Sequence, residues 1–393
     1  MKPLLLGSLT LIAATPALFA VYAPIPSQEK GEAFSGSLAT GVYYDSNIFG
    51  SQNGRVSSVV GEVKPHLDYN QSITDQTFFS ANYDLQVLWF ENRPGGDDVL
   101  ANNYLSGQLD HTFAPNIFAS VSDFFSYTQN PESAIIAGAP LQTDQSFLFN
   151  RVDLQALWNI TEIWSLEGKF RNQFWFYDDN NLADQLDRIQ YAAGLELGYV
   201  FLPELTLVGE YDFEYNDYTN DSPPKSNYSH FVLGGVDYQL AERLVLEARL
   251  GAEFRIRESN PNRTSPYGEL TAVYQLTERS YVAGAVTYGI FETTDTNSFL
   301  DQENLDLQLN FEYFVLPRVA LSGSVLYQYA QLNGRTGIAD ANEYTYRTGV
   351  GVTYMITDNW STWINYDYDN VDSQVVGRSQ VRNRVGGYVR YTF

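Results

Sequence analysis

The sequence contains no cysteine, only three histidines and two methionines. Without cysteine there is no disulfide, no thiolate nucleophile and no cysteine metal site. That suits a chain that passes through an oxidising compartment. Cations are also scarce, with 23 Lys and Arg against 47 Asp and Glu and a formal charge of −24. A chain so acidic has little to offer a phosphate backbone, so no nucleic-acid partner is expected. No nucleophile elbow and no His-Glu-x-x-His stretch is present, and these are the commonest frames for hydrolytic and zinc chemistry. No catalytic residue, metal or cofactor is expected. After residue 20 no segment is long and apolar enough to cross a bilayer as a helix.

The opening residues form a targeting segment. Lys2 supplies a positive start, Leu4 to Ala20 are apolar around Pro16, and small residues suited to cleavage follow at Ala20 and Ala23. The run is short, contains proline and is followed by no stop-transfer charges, which favours a cleaved signal over residues 1–23 rather than an anchor. Residues 24–33 are then a periplasmic lead, too short for a plug domain. Residues 34–393 form one domain.

That domain is rich in aromatics, at 15% of the chain with 29 Tyr. Amphipathic rings gather where hydrocarbon meets lipid headgroups. The chain also has a strict two-residue rhythm. From Gln380 to the carboxyl terminus, Val381, Val385, Val389, Tyr391 and Phe393 share one parity, interrupted by Asn383 and Gly387. Gln380, Arg382, Arg384, Tyr388, Arg390 and Thr392 share the other. Side chains swap faces at each residue of a strand, so this segment has one apolar and one cationic face.

Eighteen segments, from 34–45 to 380–393, can be read as strands. Short turns follow every second one, and long polar loops such as Arg93–Leu100, Asp178–Leu186 and Thr293–Phe299 follow the others. In eight clearly alternating segments, including Phe79–Trp89, Leu148–Trp158, Trp164–Phe176 and Leu244–Ile256, the apolar parity carries no charge. A charge facing mid-bilayer costs roughly 2–4 kcal/mol, and hydrocarbon would enforce this exclusion. A soluble sandwich also alternates, but it has no need of aromatics at both ends of so many strands. A WD-type propeller shares the hairpin repeat length, yet its Trp-Asp and Gly-His signatures are missing. Asp123 is out of phase in the fifth segment, and Tyr281–Phe291 is apolar on both faces. The predicted fold is all-β: a transmembrane, antiparallel, up-and-down β-barrel of eighteen strands, or sixteen if one hairpin is lost, without a plug.

The first segment and its loop contain Tyr44, Asp45, Asn47, Ile48 and Phe49 in an aromatic-Asp-x-Asn-aliphatic-Phe order. With the signal, the hairpin spacing and the Tyr391-Thr-Phe393 end, the chain resembles the bacterial outer-membrane β-barrel porin family of the second type. The resemblance implies a channel in the Gram-negative outer membrane. It also implies an association of some members with exopolysaccharide export, and hence a polysaccharide export system as partner. Tyr391 and Phe393 would be the C-terminal assembly signal for the barrel assembly machinery.

Barrels this wide are not filled by their own side chains, so the candidate functional residues are those on the inward parity. The basic ones are Arg151, Lys169, Arg171, Arg188, Arg249, Arg255, Arg257, Arg347, Arg382, Arg384 and Arg390. Rings of such residues favour anions, and guanidinium forks fit carboxylate or phosphate, which would suit an anionic polysaccharide. The acidic ones are Asp153, Glu167, Glu196, Glu210, Asp212, Glu214, Glu247 and Glu253. Pairing between the two sets is the competing, structural role. The loop Asn130–Asp144, with its apolar Ala134–Pro140, is the candidate for an inward-folded constriction. The acidic loops, such as Asp97-Asp98, Asp178-Asp179 and Asp221, could gather divalent cations and bind lipopolysaccharide, which would suit a scaffolding barrel instead of a channel. A third alternative is a hydrolase at His66, which shares its strand's inward parity with Glu62, Lys64 and Asp68.

Overall fold

The structure is a computed structural model describing residues 33–129 and 146–393. The expected signal (1–23), the lead as far as residue 32 and the loop Asn130–Asp144 lie outside the described residues. The strands are β1 (Phe34–Asp45), β2 (Ser58–Thr74), β3 (Thr77–Phe90), β4 (Val99–Ala114), β5 (Ile117–Thr128), β6 (Phe147–Asn159), β7 (Trp164–Tyr177), β8 (Arg188–Leu202), β9 (Leu205–Tyr218), β10 (Asn227–Ala241), β11 (Leu244–Arg257), β12 (Arg263–Thr277), β13 (Ser280–Phe291), β14 (Phe299–Leu316), β15 (Val319–Gly334), β16 (Ala341–Met355), β17 (Trp360–Ser373) and β18 (Gln380–Thr392). One short helix, α1 (Asn180–Leu186), follows β7.

Each strand pairs antiparallel with the next. β18 pairs with β1 from Ser37↔Thr392 to Asp45↔Arg384, which closes an eighteen-stranded ring. The ring therefore has no free edge, and the sixteen-strand alternative falls. Among the described residues no helix is long and apolar enough to cross a membrane.

Pairing carries the predicted parities around the whole ring. Leu38, Val42, Trp89, Leu105, Leu195, Leu250, Val350 and Ile364 are exposed on the outer wall. A soluble surface would not carry so many exposed apolar groups, whereas a lipid-facing wall requires them. Toward the short-turn end, rings pair side by side, as in Trp164–Tyr199 at 4.7 Å and Trp360–Tyr391 at 4.9 Å between centroids. Toward the long-loop end the pairs are Tyr327–Tyr346 and Tyr329–Tyr344, at 5.1 and 5.2 Å. These are the two girdles expected of such a barrel.

Glycine is required at the seam. A Cβ on Gly41 would lie 2.1 Å from Cδ1 of Tyr388, whose ring leans across the first strand. Trp363 stacks on that ring at 4.9 Å and 7°.

The loops depart from the sequence expectation. The first long loop folds inward, and Ile48, Phe49 and Val56 pack on Val60, Leu88, Phe90 and Leu100 at the long-loop end of the bore. The predicted loop Asp178–Leu186 contains α1, capped by Asp179, whose carboxylate accepts the N–H groups of Asn181 and Leu182. The sequence carried this signal as an Asp cap before Leu182, Ala183 and Leu186 at helical spacing.

Candidate functional site

The inward side chains change character along the bore. Toward the short-turn end Gln108 and Asn310 are exposed. At the long-loop end Asn102, Thr128, Asn216, Ser229, Glu253 and Gln302 are fully buried although polar. The bore is therefore open to water at one end and packed at the other.

The packing comes from a cap of loops. Leu186 of α1, with Leu182 and Ala183, covers the inward-facing Phe147, Phe149, Trp175 and Tyr177. Lys225, between β9 and β10, donates to the carbonyls of Asp184 and Gln185 at 2.9 and 3.1 Å. Thr296, between β13 and β14, donates to Gln185 O at 3.1 Å. Arg335, between β15 and β16, donates to Thr296 O at 2.7 Å and to Pro224 O at 3.2 Å. Loops rooted six strands apart are thus joined directly, and in an eighteen-stranded ring such a link spans the mouth. Burial pushes the Lys225 ammonium and the Arg335 guanidinium below their ordinary pKa values, and pushes the Asp187 carboxyl above its own. Lys225, Thr296 and Arg335 were not singled out in the sequence. Each lies in a loop, and nothing in local spacing tells which loop it will meet.

The predicted basic residues all lie on the inward parity, but they form no uncompensated track. Arg151 and Arg171 both bind Asp153, at 3.0 and 2.5 Å. Arg255 is 2% exposed and held by Glu253 and Glu292, each at 2.9 Å. Glu292 also accepts from Tyr218 Oη at 2.6 Å. Glu214 lies in the same buried cluster as Arg255 and Glu253. Arg257 pairs with Asp301. Arg384 lies 3.1 Å and Arg347 3.8 Å from Asp369, and Arg382 pairs with Asp45. Arg188 stacks 3.9 Å over Trp175 and donates to Leu186 O at 3.3 Å, beneath α1. Arg390 lies 5.0 Å over Trp363. Most of these cations are thus engaged by neighbouring carboxylates and rings of the wall.

At mid-bore the balance is acidic. Glu196 stands directly opposite Glu167 on one neighbour and Glu210 on the other. Like charges so placed repel, and two cations offset this. Lys169 lies 2.7 Å from Glu196 and 2.8 Å from Glu210. Arg249 reaches the same two at 3.2 and 3.3 Å, and Asp237 at 2.7 Å. Asp212, Glu247 and Glu269 occupy the same inward face, so seven carboxylates surround two cations. The sequence identified Lys169, Arg249, Glu167, Glu196, Glu210, Asp212 and Glu247 but neither Asp237 and Glu269 nor the clustering, which depends on register.

The loop carboxylates act mainly as turn caps. Asp221 accepts from the N–H groups of Lys225 and Ser226 at 2.5 and 2.7 Å, and Asp295 from Ser298 N–H at 3.1 Å. Among the described residues no group of three or more His, Asp or Glu has the arrangement to hold a metal ion. His66 lies between Asp68 and Asp84, with Nε2 and Nδ1 at 2.6 and 2.7 Å from their oxygens. Both ring nitrogens are occupied, and neither contacts a hydroxyl it could activate.

A closed ring with an apolar outside and a charged bore is a membrane-spanning β-barrel, the form found in bacterial outer membranes. No family model matches the sequence, and no curated protein matches it. Among solved structures the chain is similar to the outer membrane protein OpdK from Pseudomonas aeruginosa. The identity is 10%, covering 92% of this chain and 99% of that one, with a TM-score of 0.48. It is also similar to the siderophore receptor PirA from Pseudomonas aeruginosa, at 10% identity over 92% of this chain and 80% of that one, with a TM-score of 0.47. The ferric-catecholate import receptor Fiu from E. coli K12 gives 9%, 91% and 81%, and 0.42. Likenesses this distant transfer neither family nor substrate.

Proposed function

We propose that the chain is a channel in the outer membrane of a Gram-negative bacterium, passing hydrophilic solutes and limited at its outer mouth by the loop cap. The short-turn end faces the periplasm, as in other membrane barrels. The observation that carries this proposal is the gradient along the bore, from exposed polar side chains at one end to loops bridged by Lys225, Thr296 and Arg335 at the other. A wall with seven carboxylates around Lys169 and Arg249 suits neutral or cationic solutes better than anions. An anionic exopolysaccharide, and membership of the second porin type, are supported only by the Tyr44–Phe49 stretch and the C-terminal Tyr391 and Phe393.

Conductance of the refolded protein in planar bilayers tests this proposal. It predicts ion flow with a reversal potential favouring cations, increased when the cap is loosened by Arg335→Ala. The cap also supports a second reading, a scaffolding barrel with a closed bore. Silence of both the wild type and Arg335→Ala would decide for the scaffold and against the channel.

A further inference from the structure

We propose that the outer wall of β5 to β7 is the contact face of a two-fold dimer of this chain. Two independent features coincide there. The first is a groove of about 640 Å³ in the outer wall, floored by Ala119, Ala156, Gly168 and Ala193. Ala119, Ala156 and Gly168 stand directly opposite one another on three successive strands. Small residues in a row let another wall approach closely. The second feature is polar. Asp123 is exposed at mid-strand on the outward parity of β5 and accepts one hydrogen bond, from Asn150 Nδ2 at 2.5 Å. Asn172, also outward, lies on the same pairing row two strands away and spends one amide hydrogen on Gln190 O at 3.2 Å.

A carboxylate facing hydrocarbon is costly, and such groups turn toward partners. An acyl chain could fill the groove but would offer Asp123 no donor. A second copy supplies donors at the right place. A two-fold axis along the membrane normal, centred on β6, sets β5 of one copy against β7 of the other. Asp123 then faces the strands that carry Asn150 and Asn172 in the second copy, and the contact is self-complementary, as a two-fold interface must be. Ala156 lies near the axis, where the groove lets the walls close.

The absence of native cysteine makes the test direct. Ala156→Cys, oxidised in native outer membranes, is expected to give a covalent dimer, whereas Val350→Cys on the far wall of β16 stays monomeric. Gly168→Phe, which fills the groove, is expected to keep the heat-modifiable folded band and to lower the dimer fraction in mass photometry at least several-fold. The proposal is overturned by equal cross-linking of both cysteine variants, by cross-linking of Ala156→Cys to a different protein, or by a monomeric wild type that retains a lipid lost in Gly168→Phe. Conductance is read separately, so failure here leaves the channel proposal untouched.

Discussion

Asp45, on the first strand, and Arg382, on the last, form a buried ion pair across the seam: Arg382 Nε donates to the two carboxylate oxygens at 3.0 and 2.9 Å. Asp45 Oδ1 also accepts the N–H of Asn47 at 2.9 Å, and Asn47 Nδ2 donates to Val381 O at 3.2 Å and Ser51 O at 2.9 Å. The stretch by which the chain resembles a porin family is thus a seam fastening. Removing one partner of a buried pair typically costs about 3–5 kcal/mol, because the other charge is left without compensation. Arg382→Ala should lower the urea unfolding midpoint in detergent markedly. Asp45→Asn with Arg382→Gln should restore part of the loss. An unchanged midpoint in Arg382→Ala would show that the pair contributes nothing.

Gly41 makes a second seam prediction. Gly41→Val places a branched side chain where the Tyr388 ring lies and should abolish the folded, heat-modifiable band. Adding Tyr388→Ala should recover it only in part, because Gly387 O lies 2.6 Å from the added Cβ. If Gly41→Val folds normally, the close approach at the seam is not a constraint.

The mid-bore carboxylates set a third. Glu167→Gln, Glu247→Gln and Glu269→Gln together should move the reversal potential toward zero without blocking current. Lys169→Met should weaken folding as well, since it leaves the directly opposed Glu196 and Glu210 less compensated. A reversal potential unmoved by the triple change would place the selective step elsewhere.

The cap should respond to pH. Burial raises the Asp187 pKa in the closed cap, with Asp184 adding to the rise and Arg188 and a hydrogen bond from Tyr177 N–H opposing it. The closed state therefore binds more protons than an opened one, and acidification through the closed-state pKa favours closure. Lys225 has the opposite shift, so closure is also favoured as alkaline pH removes its proton. Current should peak near neutrality, and Asp187→Asn should flatten the acid side. Current that rises on acidification would contradict the assignment.

Much of the barrel was legible in the sequence because lipid and water each act on a single residue at a time. The apolar parity of 380–393, the eighteen segments and the misphased Asp123 needed no knowledge of neighbours. The 34–45 segment matches β1, and the others agree to within a few residues at most ends. What was not legible depends on pairs distant in sequence. That Arg249 meets Glu196, or that Arg257 meets Asp301, follows from register and closure, which no local pattern states. The cap was hidden for the same reason, although Asp179 and the spacing of Leu182 and Leu186 could have announced α1.

The gradient in the bore also has an electrical consequence. In a conduit whose resistance is concentrated in one short stretch, an applied voltage falls almost entirely across that stretch. In the proposed channel that stretch is the loop tier holding Lys225 and Arg335. One elementary charge crossing 100 mV exchanges roughly 2.3 kcal/mol, comparable to a few of the hydrogen bonds that tie those loops. Polarity should therefore act as a hand on the latch, loosening it in one direction and pressing it shut in the other.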